Sequence, residues 1–444
     1  MATRSTPPSG TSNAPSYLGP FIAVASLYFI FGFVTNLNMG LVPYLKEIFQ
    51  VQKLENWQAM LANGAFFTAY FVCSSPSSKL IEAIGYKRTM VVSLFIQVIG
   101  ALIFLPAASQ VSFPLFLTAI FIVGAGVTAL QTAANPYIAI LGPERSAPVR
   151  LNLAQALNSF GGMLAPLVAG AFILTSTVVS PDVVAKETPA AQHAYQVTIA
   201  HTVRMPYIII AFGLVVLGIA IALTHLPHIS TTQEFRPGKE GDPILKRSIW
   251  SYRHTVLGAL GIFLYVGTEV GLATAMVLYF SDSTHGGLHA LTIPEAQKLV
   301  FYYWGGALIG RLLGSWMMTK LNAGKLLGVF GVVAACLVVV SIFTSGHVAI
   351  GALILAGFFN SIMFPTIFAL GIAGLGPMTS KGSGLIMTAV WGGALIPVFI
   401  GWLSDNFNYE LALLVPTCCY LYIAFYGFVG HKPVRTLPAP VLAP

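Results

Sequence analysis

The fold of this chain is decided by residues 131–166, which read QTAANPYIAILGPERSAPVRLNLAQALNSFGGMLAP. Two apolar segments in this stretch carry five amide side chains: Gln131, Asn135, Asn152, Gln155 and Asn158. An amide buried without a hydrogen-bond partner costs roughly 2–7 kcal/mol, so this many amides in apolar segments require a reason. At helical spacing the first two lie on one helix face and the last three lie on another. Two uncharged hydrogen-bonding faces predict a water-filled path for a polyhydroxylated solute.

The composition indicates an integral membrane protein. The chain has 444 residues, of which 56% are hydrophobic and only 8% are charged. Soluble domains average about 25% charged residues. The 43 Gly and 27 Pro residues are typical of membrane helices, in which both types are more frequent than in soluble helices.

Several other classes of protein are excluded. The basic residues behind a pI of about 9.3 lie in short loops, which indicates membrane topology and not nucleic-acid binding. The four cysteines lie in apolar segments without metal-ligand spacing, which favours small buried side chains over a zinc site or a disulfide. The chain has no Gly-x-x-x-x-Gly-Lys-Ser/Thr loop, so ATP-driven transport is excluded. One buried acid cannot supply an enzyme's paired carboxylates or activated nucleophile, so we expect neither an enzyme nor a cofactor.

Hydropathy predicts twelve membrane-spanning helices, because a span needs about 20 apolar residues. The predicted spans are 18–44, 57–84, 89–107, 112–141, 150–176, 204–226, 253–281, 296–319, 325–345, 347–375, 382–404 and 409–430. With the N-terminus inside, most of the 22 Lys and Arg residues fall on the cytoplasmic side. The positive-inside rule therefore predicts that both termini are cytoplasmic.

Two pseudo-symmetric six-helix bundles are predicted. The fifth span contains Gly161-Gly162-Met-Leu-Ala-Pro, and the eleventh contains Gly392-Gly393-Ala-Leu-Ile-Pro, 231 residues later. Matches at one offset and at equivalent ordinal helices indicate a duplicated unit. The predicted domains are a disordered cytoplasmic tail, two bundles, a cytoplasmic linker between them and a second cytoplasmic tail: 1–17, 18–226, 227–252, 253–431 and 432–444.

Glu269 is the acidic residue that the sequence places deepest, near the middle of the seventh span. A charge at the bilayer centre costs about 2.5–3.5 kcal/mol on insertion scales, which marks such a residue as functional. Two roles stay open, a carboxyl group that couples transport to protons and an acceptor for substrate hydroxyls. A structural carboxylic acid bonded between helices is the simpler alternative.

The remaining candidates are amides and aromatic rings. Asn36 shares a helix face with two glycines, and the alternative to substrate contact is a hydrogen bond between helices. Tyr303 and Trp391 suit the apolar faces of a sugar, although packing alone also explains each of them. Asn360 stands before a proline, as Asn135 does, and is equally consistent with a cavity or with packing. Arg311 is expected near the cytoplasmic end of the eighth span, where it snorkels or forms a gate bond.

Four sequence runs carry a family resemblance: LQTAANPY at 130–137, LGPER at 141–145, RLNLAQALNSFG at 150–161 and FPTIFALG at 364–371. They resemble the fucose permease branch of the major facilitator superfamily, the fucose–galactose–glucose:proton symporter family. The resemblance implies a rocker-switch carrier in a bacterial inner membrane, with one hexose site between the halves. It also implies a cytoplasmic gate at the short basic loop that contains Gly85, Lys87 and Arg88.

The chain departs from this family at two acidic positions. The fucose permease has an Asp on its first helix and a Glu on its fourth, where this sequence has Met39 and Gln131, and neither of these titrates. Glu269 matches a glutamate of the glucose and galactose members, so the chain resembles those or the N-acetylglucosamine members more than the fucose permease itself. Proton symport through Glu269, sodium symport, and uncoupled facilitation or exchange all stay open.

The sequence therefore predicts a monomer that imports a monosaccharide across the lipid bilayer. Substrate contacts are expected from Asn36, Gln131, Asn135, Gln155, Asn158, Glu269, Tyr303, Asn360 and Trp391. A non-transporting sugar receptor and a drug exporter with the same fold are the alternatives from other functional classes. The number of amides argues against the exporter, because exporters favour apolar, aromatic cavities.

Overall fold

The computed structural model describes residues 18–49, 56–172, 187–226, 248–281, 287–288, 291 and 293–432. The predicted tail 1–17, positions 227–247 of the predicted linker and positions 433–444 of the second predicted tail lie outside the described residues. Within the described ranges every regular element is helical. Residues 18–226 are called the first half of the chain below, and residues 248–432 the second half.

The α-helices lie in the following order: α1 Leu18–Ile48, α2 Asn56–Ser109, α3 Phe113–Ile140, α4 Ala147–Phe172, α5 Pro189–Thr202, α6 Arg204–Leu223, α7 Arg253–Ser281, α8 Ile293–Lys320, α9 Ala323–Phe343, α10 Gly346–Asn360, α11 Met363–Ile372, α12 Thr379–Thr388, α13 Gly392–Asn406 and α14 Tyr409–Phe425. Short 3₁₀ turns precede α4, α7, α12 and α13, and a π-helical turn, Tyr426–Gly430, follows α14.

Nine stretches of the described residues are helical, long and apolar enough to cross a membrane. One of them, Leu61–Ser109, has 49 residues, or about 74 Å at 1.5 Å per residue. That length is more than twice a hydrocarbon core of about 30 Å. Gly85 interrupts this stretch with φ 82° and ψ 168°, which only glycine adopts without strain. The chain therefore turns at Gly85, between the second and third predicted spans.

Two predicted spans are each divided into two helices. The predicted span 347–375 overlaps α10 and α11. Pro365 is the third residue of α11, where its missing N–H group breaks no helical bond. The predicted span 382–404 overlaps α12 and α13, which are joined by the 3₁₀ turn Ala389–Trp391. Hydropathy does not reveal these breaks, because the residues around them are as apolar as the helices themselves.

The same close contact between helices occurs once in each half of the chain. A Cβ atom at Gly161 of α4 would lie 2.2 Å from the backbone oxygen of Phe29 in α1. A Cβ atom at Gly392, at the start of α13, would lie 2.0 Å from the backbone oxygen of Phe263 in α7. Both distances are too short for any side chain, so each helix pair approaches at a glycine. These are the two positions that the sequence repeat aligns.

The two halves are bonded at the end where Gly85 and the turns 141–146 and 373–378 lie, called the closed end below. The Glu82 carboxylate accepts a hydrogen bond from the Ser380 hydroxyl at 3.0 Å. The Glu144 carboxylate accepts one from the Gly374 backbone N–H at 2.8 Å. The Ser383 hydroxyl donates to the backbone oxygen of Thr132 at 2.8 Å. Helices α3 and α12 are therefore held together on this side of the molecule.

Candidate functional site

A cavity of about 390 Å³ lies between the two halves. Its first wall comes from α1 to α4, and its second wall comes from α7, α8 and α11, with Val390 of the turn before α13. Ligand pockets measure about 300–1,000 Å³. The cavity is therefore at the lower end of this range, which suits a small molecule.

Four of the predicted amides line the first wall. The Gln131 amide donates to the Tyr70 hydroxyl at 3.1 Å, and the Asn158 amide donates to the side-chain oxygen of Gln155 at 2.8 Å. The Asn36 amide nitrogen donates to the Gly32 backbone oxygen at 2.9 Å. An amide has two donors and an acceptor with two lone pairs, so each of these groups keeps bonding capacity for a ligand.

A carboxylate and a guanidinium face each other on the second wall. The Glu269 carboxylate lies 3.9 Å from an Arg311 nitrogen, and both side chains are almost fully buried. Tyr265, one helical turn before Glu269, donates to the same carboxylate oxygen at 2.6 Å. Arg311 also donates to the backbone oxygen of Ser361 at 3.1 Å. The charges on this wall are therefore balanced, which suits an uncharged ligand.

Aromatic rings complete the cavity. They come from both halves: Phe31, Phe66, Phe67, Tyr70, Phe301, Trp304 and Phe364. Rings present flat apolar faces, and the amides opposite them present hydrogen-bonding groups. A ligand with apolar C–H faces and equatorial hydroxyl groups matches both kinds of surface.

Four other predicted binding residues do not line the cavity. Asn135 accepts a hydrogen bond from Tyr28 at 2.6 Å and donates to the Met387 sulfur at 3.5 Å. Asn360 donates to the Tyr303 hydroxyl, and both side chains are buried. Trp391 packs against Phe71 with ring centroids 4.7 Å apart, so this pair joins the two halves beside the cavity.

The predicted gate residues lie in two places. Lys87, just after the Gly85 turn, donates to the Ala222 backbone oxygen near the end of α6 at 2.8 Å. Arg88 is exposed beside it. Arg311 lies elsewhere, in the cavity wall and more than two turns before the end of α8. Its position thus differs from the predicted one near a helix end, because its guanidinium finds acceptors inside the protein and does not need to snorkel.

Other polar residues in the cavity wall or directly behind it had weaker signals in the sequence. Tyr265 lies four residues before Glu269, a spacing that brings two helical side chains together. Ser159 shares the amide face of α4. Nothing in the sequence marks Tyr70, because its role depends on how α2 packs against α3. Among the described residues no group of three or more His, Cys, Asp or Glu side chains could hold a metal ion.

The family model of the Major Facilitator Superfamily matches residues 24–397 of this chain. The glucose/galactose transporter of Brucella abortus is 42% identical over 426 residues, which are 95% of this chain and 96% of that protein. The L-fucose-proton symporter of Escherichia coli is 34% identical over 415 residues, with 93% of each chain covered. A crystal structure of the transporter FucP in the outward conformation aligns with a TM-score of 0.82 and 33% identity, and the alignment covers 93% of this chain and 98% of that one.

Proposed function

The chain belongs to the major facilitator superfamily, and we propose that it is an inner-membrane transporter that imports a neutral hexose-type sugar by alternating access. The cavity carries this proposal, because it opposes amides to aromatic rings and contains one acid that is balanced by one arginine. Relatives named for glucose and galactose transport and for L-fucose–proton symport support the substrate class. Glucose, galactose, fucose and N-acetylglucosamine are the candidate sugars.

We propose twelve spans, arranged as the two bundles 18–226 and 253–431. Division of Leu61–Ser109 at Gly85 adds one span to the nine helical stretches of the described residues. Helices α4 and α8 add two more, because each is long enough to cross the membrane. Their amides and charges make them more polar than the nine other stretches. The positive-inside rule then puts both termini and the closed end on the cytoplasmic side. With the closed end inside, we propose that the cavity opens to the outside, which is the conformation in which the aligned FucP structure was solved.

In this proposal the sugar lies between the two walls. Asn36, Gln131, Gln155 and Asn158 bond its hydroxyl groups from the first wall, while Trp304 and the phenylalanines cover its C–H faces. Four other residues support the cavity from behind or beside it: Asn135, Tyr303, Asn360 and Trp391. We assign Lys87, Gly85 and Arg88 to the cytoplasmic gate, in a monomer embedded in the bilayer.

We propose that the coupling ion is H⁺ and that Glu269 carries it. Glu269 is the one acidic residue among the described residues of the cavity wall. Gln131 occupies the position at which the fucose permease has an acidic residue on its fourth helix. The Gln131 amide bonds Tyr70 and cannot titrate. The name of the Escherichia coli relative supports protons. Coupling to Na⁺ and uncoupled facilitation or exchange are the alternatives that the transport assay must separate.

A ligand panel tests the proposed substrate class. Ligands that bind the folded state raise its unfolding temperature, by more as the ligand concentration increases relative to Kd. We expect hexoses to stabilise the purified protein and we expect sugar acids and sugar phosphates to have no effect, because the charges of the cavity are already balanced. Stabilisation by lipophilic cations with no effect of any monosaccharide would contradict the proposal and would indicate an exporter.

A further inference from the structure

Each amide face of the first wall continues one helical turn beyond the cavity, toward the closed end. On α3, Gln131 lines the cavity and Asn135 lies four residues nearer to the closed end. On α4, which begins at the closed end, Gln155 lines the cavity and Asn152 lies three residues nearer to that end. Side chains three or four residues apart share a helix face. Both asparagines therefore face the second half of the chain, as their cavity-lining neighbours do.

The bonds from these asparagines to the second half are weak. The Asn135 amide nitrogen donates to the Met387 sulfur at 3.5 Å, and a thioether sulfur is a poor acceptor. The Asn152 amide nitrogen donates to the Thr366 hydroxyl at 3.3 Å, which is longer than the usual 2.7–3.2 Å. The Thr366 hydroxyl in turn donates to the Met318 sulfur at 3.7 Å. Asn135, Asn152 and Thr366 are called the inner layer below.

The inner layer also contains an unused acceptor. The side-chain oxygen of Asn152 is fully buried and has no hydrogen-bond partner among the described residues. Leaving a buried amide oxygen unpaired is costly, and such groups require an explanation. A layer that only sealed the closed end would be served better by apolar side chains, which carry no such penalty.

Bonds within the first half hold both amides in place. Asn135 accepts a hydrogen bond from the Tyr28 hydroxyl at 2.6 Å, and the Asn152 amide nitrogen donates to the Pro148 backbone oxygen at 2.8 Å. Neither bond involves the second half. Both can therefore persist when the halves separate at the closed end, whereas the bonds to Met387 and Thr366 cannot.

We propose that the inner layer is a second subsite for a neutral hexose, which the sugar occupies when the closed end opens to the cytoplasm. This inference rests on the proposed sugar transport. Opening frees an N–H group of Asn135, an N–H group of Asn152 and the Thr366 hydroxyl oxygen, and the unused Asn152 oxygen becomes accessible. These donors and acceptors match sugar hydroxyls, each of which both donates and accepts. In the closed arrangement the sugar contacts the cavity amides and not the inner layer.

The test measures hexose affinity separately at each face of the membrane. Right-side-out and inside-out membrane vesicles present opposite faces of the protein to added sugar. Exchange of labelled hexose is measured at equal pH on both sides, with saturating unlabelled hexose inside the vesicles, so that no ion gradient is needed. The variants are Asn135→Ala, Asn152→Ala and Thr366→Val, and Asn158→Ala represents the cavity itself.

We expect each inner-layer variant to raise the half-saturation concentration at the cytoplasmic face by about two- to twelvefold, the effect of one lost neutral hydrogen bond. The value at the outer face should stay within about twofold of the wild type. Asn158→Ala should raise the values at both faces, because Asn158 lines the cavity. Thr366→Val removes a hydroxyl with little change of shape, so it decides the test if the asparagine variants do not fold.

Met387→Leu is the matched control for a role in closure alone. It removes the sulfur that Asn135 bonds, keeps the Asn135 amide, and conserves the volume of the side chain. We expect it to leave the half-saturation concentration at the cytoplasmic face near the wild-type value. If Met387→Leu changes that value as much as Asn135→Ala does, the contact only closes the end and the inference is refuted.

The remaining outcomes separate this inference from the proposed function. Equal changes at the two faces in the inner-layer variants, or no change at either face, refute the second subsite and leave hexose transport through the cavity intact. If wild-type vesicles of both orientations exchange no hexose, the proposed function itself fails before any variant is compared.

Discussion

Two adjacent glycines of α4 give a sharp prediction, because the same substitution should have different effects at each. A Cβ atom at Gly161 would lie 2.2 Å from the Phe29 backbone oxygen, which cannot move without the helix. A Cβ atom at Gly162 would lie 2.6 Å from the Asn36 amide nitrogen, which is the end of a flexible side chain. Gly162 and Asn36 both line the cavity.

The expected magnitudes follow from what must move. Overpacking a core typically costs about 1–3 kcal/mol, so Gly161→Ala should lower the unfolding temperature of the protein clearly. Gly392→Ala should do the same, because its Cβ would lie 2.0 Å from the Phe263 oxygen. Gly162→Ala should leave stability near the wild-type value but displace the Asn36 amide. The loss of one neutral hydrogen bond, about 0.5–1.5 kcal/mol, weakens sugar binding by about two- to twelvefold.

The assay measures thermal unfolding of the detergent-purified variants with and without hexose, together with a binding isotherm. Gly401→Ala is the control, because a Cβ atom there meets no atom within 4 Å and Gly→Ala inside a helix stabilises by about 0.5–1 kcal/mol. The reasoning is refuted if Gly161→Ala is as stable as Gly401→Ala. It is also refuted if Gly162→Ala binds hexose as tightly as the wild type.

Three further substitutions have distinct expected results. Glu269→Gln should abolish sugar accumulation driven by a pH gradient in proteoliposomes, because an amide cannot bind and release a proton as a carboxyl group does. Undiminished accumulation would exclude Glu269 from coupling. Asn158→Ala removes one cavity amide and should weaken hexose binding by about two- to twelvefold in the isotherm, and an unchanged affinity would remove Asn158 from the site. Arg150→Ala should lower the unfolding temperature but leave the hexose affinity unchanged. Arg150 donates to the Ile138 backbone oxygen near the end of α3 and to the Pro143 backbone oxygen in the turn that follows, and it lies outside the cavity lining. A loss of affinity without a loss of stability would contradict that role.

Hydropathy and periodicity predicted most of the helices but not their interruptions. Each predicted span overlaps at least one helix of the described residues, since burial in lipid requires long apolar runs whatever the packing. The breaks at 361–362 and at 389–391 depend on local backbone geometry within equally apolar sequence. Helices α4 and α8 are not among the nine most apolar stretches of the described residues because they carry polar side chains. Some of these polar side chains line the cavity.

The candidate site was predictable where helical periodicity alone decides which way a residue faces. Gln155 and Asn158 are three residues apart on α4, and both line the cavity. Asn135 is spaced equally well from Gln131 but bonds Tyr28 and Met387 instead. Periodicity gives the face of a helix but not the depth of a residue along it.

Partners that come from other helices were not predictable. Asn360 lies behind the cavity wall because Tyr303 of α8 accepts its hydrogen bond. Arg311 lies in the cavity wall because two acceptors on α4 of the other half, the Gln155 backbone oxygen and the Ser159 hydroxyl, lie within hydrogen-bonding distance. Such pairs depend on how the helices pack against each other. No local pattern in a single sequence predicts that packing.

The proposed function requires that the cavity between the halves binds a hexose and transports it. Uptake of radiolabelled hexose into proteoliposomes, compared between the wild type and Gln155→Ala, tests it most directly, because Gln155 lines the cavity and bonds Asn158 within it. We expect saturable uptake by the wild type and a half-saturation concentration about two- to twelvefold higher for the variant. Uptake of no hexose by the wild type, or identical saturation curves for the two proteins, would contradict it.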